Sequence, residues 1–120
     1  MSISIIIPVF NEESQIENTI NKLTKLKKKI DLEIIIIDDF SFDDTFRIIK
    51  KIVKKNRYIK LFKNKKKGLG PAIQLGILRS KKRYVCIFMA DLSDNPLDIV
   101  RYYNIVKSKQ FDAVFGSRFI

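Results

Sequence analysis

The sequence reads Leu32-Glu33-Ile34-Ile35-Ile36-Ile37-Asp38-Asp39 in its first third, where four consecutive isoleucines stand directly before two aspartates. β-Branched side chains favour strands, and an apolar run without polar alternation predicts a strand that is buried on both faces. Such a strand belongs to a parallel sheet with helices on both sides, because only then are both of its faces covered. The two carboxylates are therefore predicted to lie at the carboxyl edge of that sheet.

The rest of the chain repeats this pattern of a short apolar run followed by an amphipathic stretch. The apolar runs predict strands, and the stretches between them, with apolar residues at helical spacing, predict helices. Strands are predicted at Ser2–Val9, Leu32–Ile37, Tyr58–Phe62, Arg83–Met89 and Phe111–Phe115. The result is a single three-layer α/β/α domain over residues 1–120, with a mostly parallel sheet of about five strands.

Capping residues and prolines predict where the helices begin. Asn11 is a candidate N-cap for the first helix, and the second helix is expected to begin near Asp43 or Asp44. Pro71 suits the first position of the third helix, since a proline there loses no hydrogen bond. Pro96 opens a fourth helix in the same way.

Composition excludes several kinds of site. The chain carries 24 Lys or Arg against 13 Asp or Glu, a net charge of +11, with one Cys and no His. It can form no internal disulfide, it lacks the usual zinc ligand sets, and catalysis by a Ser-His or Cys-His pair is excluded. Any metal must be held by oxygen ligands. The basic excess favours polyanionic partners, which are nucleic acid, anionic lipid headgroups or nucleotide diphosphates.

The sequence contains no segment near the roughly 18 apolar residues of a membrane-spanning helix. Its N-terminal residues lack the basic start and the long apolar run of a signal peptide. We therefore expect a cytoplasmic protein, and its lysines leave peripheral attachment to the inner face of the membrane open.

Polar residues gather where the predicted strands end. The first strand ends in Pro8-Val9-Phe10-Asn11-Glu12, the second in Asp38-Asp39-Phe40-Ser41 and the fourth in Ala90-Asp91-Leu92-Ser93-Asp94. The carboxyl edge of an open α/β sheet is where ligands bind. Neighbouring carboxylates repel each other unless a cation or a hydrogen-bond donor offsets their charge. Asp38 and Asp39 thus either accept hydrogen bonds from a base or ribose, or only cap a turn and face solvent.

Two further segments have the chemistry of a phosphate or metal site. At Asp91 a carboxylate could hold a divalent cation that bridges the phosphates of a nucleotide sugar, or it could merely form a turn. The segment Lys63–Pro71 joins a basic run to Gly68 and Gly70 at a helix start, and glycines and helix N-termini both suit phosphate. The alternative is a solvated turn, because neither the P-loop pattern nor the dinucleotide fingerprint is complete.

Together these segments resemble the family-two glycosyltransferases with a GT-A fold, most closely the branch that transfers sugars to polyprenyl or dolichyl phosphate. Five segments occur in the order of the family, and they extend over nearly the whole chain. They are Ile5–Glu13, Asp38–Thr45, Gly68–Ala72, Ala90–Pro96 and Phe111–Arg118.

The resemblance implies a role for each matching position in a Rossmann-like nucleotide-sugar site. Asp39, together with Asp38, would contact the base or ribose, and Gly68 and Gly70 would lie along the donor site. The residues that would border the nucleotide pocket are Pro8, Phe10, Asn11 and Glu12.

The resemblance also implies the reaction. A sugar would move from a UDP- or GDP-sugar to a polyprenyl phosphate or another lipid acceptor at the membrane, with inversion. Asp91 would bind Mg²⁺ or Mn²⁺ with the diphosphate, and Arg118 would hold a phosphate of donor or acceptor. Met89-Ala90-Asp91 stands where the family often has Asp-Ala-Asp, which removes one metal ligand. Family catalytic domains continue past the Gly-Ser-Arg segment, so the chain resembles a truncated, donor-binding half.

Two other functions fit the sequence. A catalytically silent nucleotide-sugar binder would keep the donor site without the acceptor half. A basic α/β module could bind nucleic acid through Lys22–Lys29 and Lys50–Lys67, but this leaves the acidic clusters without a role, and no stacking pattern of aromatic and basic residues is evident. A sheet edge left exposed by truncation would favour self-association into a homo-oligomer.

Overall fold

The structure is a computed structural model that describes residues 2–90, 97, 99–101, 104 and 113–115. The described residues from 97 to 104 are helical, and the remainder of the helix predicted after Pro96 lies outside the described residues. The elements are β1 Ser2–Val9, α1 Ile16–Thr24, a 3₁₀ helix Lys25–Lys28, β2 Asp31–Asp38, α2 Thr45–Lys55, β3 Ile59–Lys63, α3 Leu69–Arg79, β4 Tyr84–Ile87 and β5 Ala113–Phe115.

These strands form one parallel sheet with the order β3-β2-β1-β4-β5. Four of them lie within residues 2–90, and β5 adds three residues beside β4. The chain builds outward from β1 through β2 to β3, and then returns to place β4 on the other side of β1. The predicted α/β class with a parallel sheet is confirmed. A reversal of this kind between β1 and β4 is where open α/β sheets bind ligands, outside the carboxyl ends of the strands.

Helices cover the sheet on both faces, which explains the unbroken isoleucine run. β1 and β2 pair along eight residues, from Ser2 with Asp31 to Val9 with Asp38, and successive side chains point to opposite faces. One core lies under α1 and α2, and it includes Ile5, Ile7, Ile34 and Ile36 with Ile16, Ile20, Leu23 and Ile49. The second core lies under α3, and it includes Ile6, Ile35, Ile37, Ala72 and Ile87.

The approach of α3 to the sheet depends on Gly76. A Cβ atom at this position would lie 2.4 Å from Cγ2 of Ile6. Since real Cβ atoms do not approach other atoms so closely, any larger residue would push the helix away from β1. The glycine therefore sets the distance between this helix and the sheet.

The predicted start of the first helix is wrong, because Asn11 is not its N-cap. α1 begins at Ile16 with Gln15 as the preceding residue. Asn11 has φ of 50°, a left-handed conformation that asparagine tolerates, and the chain then makes a turn in which the Gln15 N–H donates to the Glu12 carbonyl at 3.0 Å. The helix can begin only after that turn.

The third helix also begins earlier than predicted. α3 starts at Leu69, so Pro71 is its third residue rather than its first. Gly68 has φ of 130°, which side-chain-bearing residues rarely adopt, and the helix begins directly after it. A proline is still accommodated there, since N–H groups of the first turn have no partner within the helix.

The amino edge of the sheet is held together by a buried carboxylate. Oε2 of Glu33 accepts hydrogen bonds at 2.6 Å from the Ser4 hydroxyl and from the Lys81 N–H, and the Lys82 N–H donates to the Ser4 oxygen at 3.1 Å. These bonds anchor the connection from α3 to β4. Within the part of the chain that is described, none of the helices has the length and apolarity needed to cross a bilayer.

Candidate functional site

The carboxyl ends of β1, β2 and β3 bring three loops side by side. Beyond the paired strands, the Asp39 N–H donates to the Val9 carbonyl and the Asn64 N–H to the Asp38 carbonyl, both at 2.8 Å. These bonds continue the parallel pairing into the loops, so the residues that follow each strand leave the sheet at the same edge. The loops are residues 10–15, 39–44 and 64–68.

Asp39 joins the end of β2 to the start of α3. Its Oδ1 accepts hydrogen bonds from Nδ2 of Asn64 at 3.0 Å and from the Gly68 N–H at 3.1 Å. Nδ2 of Asn64 also donates to the Gly68 carbonyl at 3.2 Å. The side chain of Asp39 thus stabilises the loop of residues 64–68, and the Gly68 N–H points towards this carboxylate.

Asp38 has the opposite environment. Its side chain is only 4% exposed, and its Oδ1 is buried without a hydrogen-bond partner among the described residues. A buried polar atom of this kind is costly unless a ligand or water completes it. Asp38 lines a cavity of about 310 Å³ together with Phe40, Ser41, Lys63 and Asn64. This volume lies at the lower end of the range for small-ligand sites.

Asn11 locks the first loop against the second. Its N–H donates to Oγ of Ser41 at 2.9 Å, and its own Oδ1 accepts from the Phe42 N–H at 3.0 Å. The pair of bonds spans about thirty residues of sequence and fixes Ser41 in the cavity wall. Asn11 therefore stabilises the loop that carries Ser41, without lining the cavity itself.

Glu12 and Asp43 fasten the same loops to α2. The Glu12 N–H donates to Oγ1 of Thr45 at 2.8 Å, and the Thr45 N–H donates to Oδ1 of Asp43 at 2.9 Å. Burial alone would raise the pKa of Asp43, but hydrogen bonds from the Thr45 hydroxyl and N–H and from the Glu13 N–H together hold this pKa below its ordinary value. α2 begins at Thr45, as expected near Asp43 or Asp44, and the carboxylate that accepts from its first N–H is that of Asp43.

Aromatic and basic side chains meet at this edge, which the sequence did not reveal. The rings of Phe10 and Phe42 pack edge to face with centroids 5.8 Å apart. Nζ of Lys67 lies 5.4 Å from the Phe10 centroid, and Nζ of Lys63 lies 4.6 Å from the Phe46 centroid. The partners are far apart in the chain, so no local pattern signals them.

Asn64 is a site residue that the sequence analysis missed. It is buried at the cavity and bonds Asp39 and Gly68. The only local signal is one amide side chain within a lysine run, Lys63-Asn64-Lys65-Lys66-Lys67.

The other predicted site residues lie at or beyond the margins of this cluster. Pro8 is buried inside β1, paired with Ile37, and Gly70 is exposed in the first turn of α3 with open space where a Cβ would lie. Asp91 and Arg118 lie outside the described residues.

The structure describes the chain as far as Ala90, the residue before Asp91. Oγ1 of Thr19 donates to the Ala90 carbonyl at 3.3 Å. Among the residues for which the structure gives positions, no three His, Cys, Asp or Glu side chains group closely enough to hold a metal ion.

A larger cavity of about 540 Å³ lies between α1 and α2, lined among others by Glu17 and Lys51. It includes Glu13 and Ser14 of the first loop but none of the residues that line the Asp38 cavity. The smaller cavity is the stronger candidate, because it contains the buried carboxylate oxygen that lacks a partner.

The chain thus folds as a parallel α/β sheet with a small cavity beyond the carboxyl ends of β2 and β3, at the edge where open α/β sheets bind ligands. The chain belongs to the family described as Glycosyl transferase family 2, whose model it matches over residues 4–120. The resemblance found in the sequence is thereby confirmed.

Two curated relatives and one solved structure illustrate the match. The chain is 27% identical over 120 residues to a dolichol-phosphate mannosyltransferase of Pyrococcus furiosus, covering 100% of this chain and 34% of that protein. It is 30% identical over 122 residues to a cholesterol galactosyltransferase of Borreliella burgdorferi, covering 98% and 33%. The curated relatives that it matches are longer, and the chain spans between 33% and 50% of their length.

The solved structure is a glucosyl-3-phosphoglycerate synthase of Mycobacterium tuberculosis, in complex with Mn²⁺, UDP and phosphoglyceric acid. It superimposes with a TM-score of 0.72 at 23% identity, covering 88% of this chain and 38% of that one. At this identity the likeness shows the fold alone, and it agrees with the expected GT-A fold.

Proposed function

We propose that the chain provides the donor site of a glycosyltransferase that moves a sugar from a UDP- or GDP-sugar to a polyprenyl phosphate or another lipid acceptor, with inversion. The observation that carries the proposal is the buried Oδ1 of Asp38, which has no partner among the described residues and borders a cavity at the carboxyl edge of the sheet. The family membership and the dolichol-phosphate mannosyltransferase relative support the reaction class.

Asp38 is the residue that we propose to recognise the base. A carboxylate accepts hydrogen bonds only, and uracil and guanine each present an N–H donor on the edge that distinguishes them. Asp39 is less suited to this role, because its oxygens already accept from Asn64 and Gly68. The two neighbouring aspartates therefore have different roles: Asp38 binds the ligand, and Asp39 positions the loop of residues 64–68.

The phosphates are proposed to lie towards the start of α3. The exposed residues Lys65, Lys66 and Lys67 directly precede Gly68 and this helix start, and helix N-termini attract anions. Gly70 lies in the first turn, and its lack of a side chain leaves room for a diphosphate.

A divalent metal would be held by Asp91, with Arg118 on a phosphate. One carboxylate suffices for Mg²⁺ in principle, because this ion keeps waters and substrate phosphates as its other ligands. When bound, such an ion would stabilise the charge of the leaving diphosphate. A lipid-phosphate acceptor is already anionic near neutral pH, so it needs little help from a general base.

Calorimetric titration tests the donor site. We expect UDP- or GDP-sugars to bind saturably, with stronger binding when Mn²⁺ is present. Asp38→Asn should weaken binding by about 10- to 100-fold, the usual effect of losing a hydrogen bond to a charged group. Asp31→Asn, which makes the same chemical change at the opposite edge of the sheet, should leave the affinity unchanged. Equal affinities for wild type and Asp38→Asn would refute the assignment.

Two further measurements separate the alternatives. Turnover with polyprenyl phosphate distinguishes a transferase from a silent nucleotide-sugar binder. Asp91→Ala should remove the dependence of binding on Mn²⁺, and an unchanged dependence would contradict the metal assignment.

A further inference from the structure

The loops at the carboxyl edge and the start of α3 expose several apolar side chains. Phe42 is 83% exposed, Phe40 49% and Phe10 41%, and Leu69 at the start of α3 is exposed as well. Phe10 and Phe42 pack against each other, so they form a continuous apolar surface rather than scattered side chains. Contiguous exposed apolar surface marks interaction sites.

Basic side chains border this surface. Lys65, Lys66 and Lys67 are exposed, and Nζ of Lys67 lies over the Phe10 ring. The nearby carboxylates of Asp39 and Asp43 are occupied by hydrogen bonds from within the protein. The surface thus combines exposed aromatic rings with exposed lysine side chains.

We propose that this surface docks the protein onto an anionic lipid bilayer. We call it the Phe42 patch, and it consists of Phe10, Phe40, Phe42 and Leu69 with Lys65, Lys66 and Lys67. The rings would enter the boundary between headgroups and acyl chains, and the ammonium groups would pair with lipid phosphates.

The composition of the patch favours a bilayer over a protein partner. Lysine is depleted from protein–protein interfaces, whereas aromatic residues are enriched there. Membrane-surface sites use both together, since the rings partition into the interface and the lysines gain from the negative surface potential. Here the lysines directly follow one another and one of them contacts a ring of the patch.

The proposal does not require the donor site to be functional. It deepens the proposed function in one respect, because the Asp38 cavity opens at the same edge, with Phe40 in its wall. A bilayer bound there would bring lipid-linked acceptors to the donor site.

Co-sedimentation with vesicles tests the patch. We expect the protein to bind phosphatidylcholine vesicles that contain phosphatidylglycerol, to bind pure phosphatidylcholine much less, and to be released by high salt. Phe42→Ser should weaken partitioning about tenfold, through loss of apolar burial. The double variant Lys65→Ser with Lys66→Ser should weaken it about 30-fold, at the usual contribution of each lysine near an anionic surface.

Matched controls separate the patch from overall charge. Leu78→Ser removes an exposed apolar side chain at the other end of α3, and Lys28→Ser with Lys29→Ser removes two exposed lysines near the amino end of β2. We expect both controls to bind vesicles like wild type. Equal loss in the controls and in the patch variants, or no vesicle binding by wild type, would overturn the proposal. A Phe42→Ser protein that loses vesicle binding but keeps nucleotide-sugar affinity would support the patch separately from the donor site.

Discussion

Phe40 holds a backbone conformation that aromatic residues rarely adopt. Its φ is 61°, in the left-handed region where a Cβ atom crowds the following carbonyl, at a cost of about 1–2 kcal/mol. The residue stands at the cavity, beside Asp38. Strained residues of this kind gather at functional sites, where the surrounding structure maintains them.

Replacing Phe40 should therefore stabilise the fold and lower the affinity of the cavity for its ligand. We expect Phe40→Gly to raise the free energy of unfolding by up to about 1 kcal/mol, because the relief of strain exceeds the extra conformational entropy that glycine loses on folding. Urea denaturation measures this change. Phe42→Gly is the control, since Phe42 is not among the residues with positive φ and should gain nothing. A Phe40→Gly protein less stable than wild type would show that the ring contributes more than the strain removes.

The difference between Asp38 and Asp39 could not be predicted from the sequence. Both carboxylates follow the same isoleucine run, and the edge at which they lie follows from that run alone. Their environments differ because neighbouring side chains of a strand point to opposite faces, so Asp39 meets Asn64 and Gly68 while Asp38 turns to the cavity. The partners are about 25 to 29 residues away, and their positions depend on the whole β2–α2–β3 unit.

At the scale of elements, the two glycines of α3 have opposite requirements. A Cβ on Gly76 would collide with Ile6, whereas a Cβ on Gly70 would meet nothing within 4 Å. Alanine favours a helix interior over glycine by about 1 kcal/mol, while overpacking a core costs about 1–3 kcal/mol. At Gly76 the cost of overpacking therefore determines how an alanine changes the free energy of unfolding. At Gly70 the helix preference of alanine determines it.

We expect Gly76→Ala to lower the free energy of unfolding by about 2 kcal/mol, because a Cβ 2.4 Å from Ile6 puts the overpacking cost near its upper value of about 3 kcal/mol and the helix preference of alanine offsets about 1 kcal/mol of it. Gly70→Ala should leave it unchanged or raise it by up to about 1 kcal/mol. Chemical denaturation of the two variants beside wild type checks both. If Gly76→Ala were as stable as wild type, α3 would not be seated on β1 as closely as described.

The strands were more predictable than the helix starts. The apolar runs located each strand in the described part of the chain to within two residues at either end, because burial on both faces leaves a strong pattern in the sequence. β4 is shorter than predicted, Tyr84–Ile87 rather than Arg83–Met89, since it pairs with only four residues of β1. The starts of α1 and α3 were mispredicted because they depend on the backbone angles of Asn11 and Gly68, which residue type alone does not determine.

At the scale of the whole molecule, acid stability depends on loop carboxylates such as Asp43. Its pKa in the folded protein lies below the ordinary value of 3.8, so folding favours the charged form. The stabilisation is complete above the unfolded pKa and is lost as the pH falls through the folded one. Wild type should thus lose this contribution only below about pH 4. In Asp43→Asn that part of the acid loss should be absent.

Unfolding free energies measured from neutral to acid pH check this prediction. Glu17→Gln, at an exposed position on α1, is the control and should follow the wild-type curve. Parallel acid curves for Asp43→Asn and wild type would mean that Asp43 does not link the loops to overall stability.

The layered architecture followed from the sequence, but the site as a whole did not. Alternating strands and helices predict a covered parallel sheet, and short connections direct the polar strand ends to one edge. The cavity depends in addition on contacts between loops, such as Asn11 with Ser41 and Phe42, and Asp39 with Gly68. Such contacts between distant residues are set by tertiary structure and leave no periodic signal.

Backbone amide chemical shifts, recorded while UDP or GDP is added, show whether the loops after β1, β2 and β3 form one nucleotide site. The amides of residues 10–12, 38–41 and 63–68 should shift together and saturate at one ligand concentration, while those of Lys81 and Lys82 at the amino edge stay unchanged. In Asp38→Asn these shifts should disappear over the same concentration range. Shifts spread over the lysine-rich surface as a whole, or an Asp38→Asn protein that responds like wild type, would contradict a donor site built around Asp38.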